Sequence, residues 1–168
     1  MQHLILGGAR SGKSRYAEQL AGESGLDVLY VATGTDGDRE MAERIARHRA
    51  DRPAHWLTIE EPLALATALQ GYAASDRCLL VDCLTLWVSN LLQAGDETLN
   101  RECDCLREVL PHLPGRILLV SNEVGLGIVP DNPLARRFRD EAGRLNQAIA
   151  TLCDNVTFVA AGLPMRLK

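Results

Sequence analysis

Between positions 7 and 14 the chain reads Gly7-Gly8-Ala9-Arg10-Ser11-Gly12-Lys13-Ser14, which fits the pattern GxxxxGK[ST]. Residues of these types at this spacing can hold a polyphosphate. The glycines let backbone N–H groups curl around an anion, and a helix opening behind them adds the positive end of its dipole. Lys13 would reach the β- and γ-phosphates of a nucleotide, and the Ser14 hydroxyl suits Mg²⁺. The pattern follows a short apolar run, His3-Leu4-Ile5-Leu6, and precedes a helix predicted from Ser11 to Glu23, the context such a cradle needs. Lysine occurs only at Lys13 and Lys168, although the chain has 18 basic residues. A chain that has nearly dispensed with lysine keeps one where a compact point charge is wanted rather than arginine's planar fork. The plainer alternative is a glycine-rich turn, and the agreement of strand, helix and lysine speaks against it.

Three further groups could work on a bound nucleotide. Asp82 closes the apolar run Cys78-Leu79-Leu80-Val81, where a carboxylate can hold Mg²⁺ through water; capping the helix expected from Leu84 is its other reading. His48 continues the apolar face of Met41 and Ile45 on a helix predicted over Asp38–Arg49, and it stands among Arg44, Arg47, Arg49 and Arg52. Such cations lower an imidazole's pKa and keep it neutral, the form in which a ring nitrogen attacks phosphorus, and the arginines would hold phosphates. A satisfied core histidine remains the alternative. Asn122 and Glu123 follow the run Ile117–Val120 and are a possible acceptor site; shaping the loop with Gly125, Gly127 and Pro130 is the competing reading.

These groups must be positioned by the elements around them. Strands are predicted at His3–Leu6, Val28–Ala32, Cys78–Val81, Ile117–Val120 and Val156–Ala160, with a short one over 55–59. Helices are predicted over 11–23, 38–49, 62–69, 84–93, 97–110 and 134–152. Short apolar strands alternating with helices indicate one α/β domain over residues 1–168, with a mainly parallel sheet covered on both faces. With 168 residues, 46% hydrophobic and 24% charged, the chain can build a core without staples. The net charge of −4 argues against a dedicated nucleic-acid binder, a local basic patch apart. Five cysteines form no metal or redox spacing and read as reduced thiols of a cytoplasmic protein. No run approaches the ~20 apolar residues of a membrane span.

Several strings together resemble one family. GGARSGKSRYAE, VATGT, EMAERIARHRADRP-AHWLTIE, LLVDCLTLWVSNLL, SNEVGLGIVPDNPLARRFRDEAGRLNQ and the tail VAAGLPMRLK are similar to the bifunctional adenosylcobinamide kinase/adenosylcobinamide-phosphate guanylyltransferases of cobalamin (vitamin B12) synthesis. The resemblance implies a RecA-like P-loop NTPase fold, a mainly parallel sheet flanked by helices. It implies phosphorylation of adenosylcobinamide by ATP or GTP. Transfer of GMP from GTP to that phosphate follows, giving adenosyl-GDP-cobinamide and pyrophosphate. His48 is the residue guanylylated by motif; Arg47 stands where relatives carry a second histidine. Gly7, Gly8, Ala9, Arg10, Ser11, Gly12, Lys13 and Ser14 would bind phosphates. Thr33, Gly34, Arg49, Ala50, Asp51, Arg52, Glu60 and Asp82 match further nucleotide-contacting positions, with Ser14 and Asp82 on Mg²⁺. Some relatives have glutamate in place of Asp82. A homotrimer, corrinoid and nucleotide substrates, and no prosthetic group complete what the family implies. Because the two transfers differ in geometry, the loop Thr33–Gly37 is expected to act as a hinge.

Overall fold

The computed structural model describes residues 1–34 and 53–168. The helix expected over 38–49, with His48 and the run Arg49–Arg52, lies outside the described residues.

The apolar runs form a seven-stranded sheet. Its strands are β1 (Gln2–Gly7), β2 (Asp27–Ala32), β3 (Leu57–Glu60), β4 (Arg77–Asp82), β5 (Arg116–Asn122), β6 (Asn155–Ala160) and β7 (Leu163–Arg166). Their order is β3-β2-β4-β5-β1-β6-β7. Every neighbouring pair is parallel except β6–β7. The described α-helices are α1 (Lys13–Gly22), α2 (Leu65–Tyr72), α3 (Leu84–Ala94), α4 (Asp96–Val109) and α5 (Pro133–Leu152).

Continuous apolar runs arise because the central strands are covered on both faces. All six residues of β1 are buried. Alternate side chains divide between two cores, as the period of two requires. Leu4, Leu29, Leu79, Val81 and Leu119 share one with Trp87, Leu91, Leu106 and Ile149 from α3, α4 and α5. Ile5, Tyr30, Leu80 and Val120 share the other with Ala17 and Ala21 of α1 and with Trp56. Both tryptophans are therefore core residues, and Trp87 donates its Nε1–H to the Leu63 carbonyl at 2.8 Å. Among the described residues no helix is long and apolar enough to cross a membrane.

Three elements differ from the sequence expectation. The third strand is Leu57–Glu60 rather than 55–59. The helix expected from residue 62 starts at Leu65, because Glu61 Oε1 accepts the N–H groups of Leu63 (2.9 Å) and Ala64 (2.7 Å) and holds a turn ahead of it. The tail is a strand, β7, paired antiparallel with β6 and exposed at every position.

Candidate functional site

The parallel strands all end on one side, and the expected site residues among those described collect along that edge, where open α/β sheets bind ligands. Gly7 ends β1, Glu60 ends β3, Asp82 ends β4 and Asn122 ends β5; Thr33 and Gly34 follow β2. The register places Ala32 level with both Glu60 and Asp82, and Gly7 level with Asn122.

Residues 8–12 make the turn between β1 and α1. Arg10 and Gly12 take left-handed backbone angles, φ 55 and φ 92, which reverse the chain into the helix. Ser11 N–H donates to the Gly8 carbonyl at 3.3 Å. Lys13 opens α1, is only 5% exposed, and folds Nζ back to 3.3 Å from the Gly8 carbonyl. That places an ammonium beside the first-turn N–H groups of α1, a concentration of positive charge suited to phosphate. The loop is packed too closely for side chains: a Cβ on Gly7 would lie 2.6 Å from the Val159 carbonyl oxygen.

Asp82 does not adjoin the cradle strand. β5 lies between β1 and β4, so Asp82 is two strand spacings away, roughly 10 Å laterally. Both sites nevertheless act on Cys83: burial pushes its thiol up to about 11, the Asp82 carboxylate adds to this, and Lys13 opposes it. Glu60, on the outer strand, is four spacings from β1, roughly 19 Å.

Thr33 is fully buried and bonded on every side. Its Oγ1 donates to the Cys83 carbonyl (2.7 Å) and accepts the Cys83 N–H (2.9 Å), and its own carbonyl accepts Asn90 Nδ2–H (2.7 Å). It clamps the end of β2 to the end of β4. A hinge in this loop therefore starts no earlier than Gly34; residues 35–37 lie outside the described residues.

Asn122 and Glu123 stand beside the cradle. Glu123 N–H donates to the Gly7 carbonyl at 3.1 Å, extending the β1–β5 pairing by one residue. Its Oε1 accepts Gly125 N–H at 2.6 Å, so the carboxylate also shapes its own loop. The Asn122 backbone is held by Thr85, whose Oγ1 accepts its N–H (2.6 Å), and by Asn146, whose Nδ2–H donates to its carbonyl (3.2 Å). Glu123, Leu6, Asn146 and Gln147 border a groove of about 830 Å³ along α5. Thr85, Asn90 and Asn146 carried no sequence signal, because their partners are 24 to 57 positions away.

Ser14 and Asp82 offer hard oxygen donors of the kind that Mg²⁺ takes. Among the described residues no three His, Cys, Asp or Glu side chains gather into a metal cage. Two protein donors with phosphates and water suit an ion that dehydrates reluctantly.

The fold is that of the RecA-like P-loop NTPases. It aligns with the RadB recombinase at a TM-score of 0.51 and 15% identity, over 94% of this chain and 73% of that one. It aligns with the flagellar accessory protein FlaH of Methanocaldococcus jannaschii at 0.54 and 14%, over 99% and 77%. Sequence similarity is far closer elsewhere. The bifunctional adenosylcobalamin biosynthesis protein CobP of Pseudomonas aeruginosa is 64% identical, over 100% of this chain and 98% of that protein. The bifunctional protein CobU of Salmonella typhimurium is 42% identical over the whole of both chains. Residues 3–167 match the CobU family, described as cobinamide kinase / cobinamide phosphate guanyltransferase, and the chain belongs to that family of enzymes.

Proposed function

We propose that this chain phosphorylates adenosylcobinamide with ATP or GTP and then transfers GMP from GTP to the product through a guanylyl group carried on His48. The reading is supported by one observation above the others. The family match over residues 3–167 falls on an intact phosphate cradle, with Lys13 buried at its centre and Glu123 bonded to its first residue.

In the kinase step the substrate hydroxyl attacks the γ-phosphorus and the nucleoside diphosphate leaves. Lys13 and the N–H groups of residues 8–14 hold the phosphates, while Asn122 and Glu123 orient the acceptor, which reaches the cradle through the groove beside α5. In the second step a neutral His48 ring nitrogen attacks the α-phosphorus of GTP, and the bond to pyrophosphate breaks. The phosphate oxygen of the cobinamide phosphate then displaces the imidazole, giving adenosyl-GDP-cobinamide. Arg44, Arg47, Arg49 and Arg52 keep His48 neutral and pair with the departing phosphates. Gly34, Glu60 and Asp82 complete the nucleotide's surroundings, with Thr33 holding the end of β2 behind Gly34. Ser14 and Asp82 would hold a Mg²⁺ ion, which when bound would supply charge neutralisation at the phosphate oxygens. The movement between the two geometries begins at Gly34. The enzyme works as a single-domain, cytoplasmic homotrimer.

Incubation with α-³²P-labelled GTP tests this. The expected adduct is acid-labile, alkali-stable and absent from His48→Ala. Kinase activity with no adduct would overturn the guanylyl-histidine step, and loss of both activities from a chain that still binds GTP would overturn the whole assignment.

A further inference from the structure

The tail string VAAGLPMRLK has no part in the chemistry above, yet it touches the cradle. Ala161 and Gly162, at φ 52 and φ 78, form the two-residue turn between β6 and β7. Successive left-handed residues are the geometry that matches a tight hairpin to the strand twist. Gly162 N–H donates to the Ser11 carbonyl at 2.8 Å. The contact is close: a Cβ on Gly12 would lie 3.1 Å from Gly162 Cα. From the neighbouring strand, the Val159 carbonyl presses on Gly7 in the same way. The end of β6 and its turn are thus the back wall of the phosphate loop.

A trans peptide is planar, and its C=O and N–H point in opposite directions. Fixing the Ser11 carbonyl on the hairpin therefore aims the Gly12 N–H away from the hairpin, into the loop. We infer that Gly162 is a positioning residue for nucleotide binding: its N–H orients the Ser11–Gly12 peptide so that the Gly12 N–H meets a phosphate oxygen. The inference rests on the reading that residues 7–14 hold the nucleotide's phosphates.

Cys153 allows a direct test. A thioester of residues 1–152 can be ligated to a synthetic Cys153–Lys168 peptide in which an ester replaces the amide at Gly162, exchanging that N–H for an oxygen that cannot donate and leaving every side chain in place. The comparison is the ligated chain with the native amide. Losing one well-placed hydrogen bond should weaken binding of GTP and of tripolyphosphate by about three- to tenfold, beyond any change in urea midpoint. Unchanged affinity for both, at whatever stability, would overturn the inference. Hydrogen exchange on the unmodified chain gives a second measurement that does not depend on the ester folding. By linkage, saturating GTP should slow exchange of the Gly162 amide by more than it slows that of the Arg77 amide, which lies at the opposite end of the sheet at the start of β4. Equal exchange at Gly162 with and without GTP would also overturn it. If Lys13→Ala binds GTP as tightly as the native chain, the cradle reading falls, and this inference with it.

Discussion

Replacing Thr33 with valine exchanges a hydroxyl for a methyl at constant shape. The Thr33 side chain is fully buried, and its Oγ1 both accepts the Cys83 N–H and donates to the Cys83 carbonyl. The two losses are unequal. The Cys83 carbonyl keeps the Trp87 N–H at 3.2 Å, so it loses one of two partners, a net effect of about 1 kcal/mol. The Cys83 N–H is left buried without the threonine, which costs about 1–3 kcal/mol. The extra buried methyl offsets about 0.8 kcal/mol. The expected net loss is about 1–3 kcal/mol, a substantial part of the roughly 5–15 kcal/mol that holds a domain folded. Thr33→Ser keeps both bonds and loses only a methyl, so it should cost about 1 kcal/mol. Urea titration at constant m-value measures both. Thr33→Val as stable as the parent, or less damaging than Thr33→Ser, would refute the clamp. Were the hydroxyl a nucleotide contact instead, Thr33→Val would lower GTP affinity and leave the urea midpoint in place.

Lys13→Ala should lower kcat/KM of both transfers by roughly 100-fold, since both need the triphosphate held, and steady-state assays of each reaction check it. Gly115→Ala should destabilise by about 3 kcal/mol or more in urea, because φ is +75 and a Cβ would meet the Ala74 carbonyl oxygen at 2.1 Å. His3 is buried against Thr157 Oγ1, and burial, then Arg116 and Arg166, lower its pKa. The unfolded chain therefore binds the proton more readily, so stability present above about pH 6.5 falls as pH drops, by at most about 1.4 kcal/mol per unit. His3→Gln should flatten that slope in urea titrations from pH 7 to 5. Burial raises Cys78 to about 11 and Cys153 to about 12, so iodoacetamide at pH 8 should leave both unlabelled until the protein is unfolded, as mass spectrometry would show.

What could be read from the chain alone was whatever is written locally. The strand, glycine turn and helix over residues 2–22 follow from a contiguous pattern, and so does the run ending at Asp82. The insertion of β5 between β1 and β4 was not legible, because strand order depends on pairing between segments a hundred positions apart. β7 was missed for a different reason: Leu163-Pro164-Met165-Arg166 has a proline at its centre and no buried face, and only its edge position lets such a segment be a strand. Thr33 matches a nucleotide-contacting position by motif, and no local pattern shows that its hydroxyl bonds to Cys83, fifty positions on. Glu123 kept both readings, beside the cradle through its N–H and shaping its loop through its carboxylate.

The place of β1 in the sheet has a consequence for biogenesis. It is synthesised before the other strands of the sheet, yet its neighbours are β5 and β6, made from residues 116–122 and 155–160. For most of translation a six-residue strand with Leu4-Ile5-Leu6 at its centre waits with neither edge claimed, a natural client for a chaperone. Meanwhile β2, β3 and β4 can already associate with one another. Nascent chains released before residue 160 would carry the whole GxxxxGK[ST] string and still fail to grip a nucleotide.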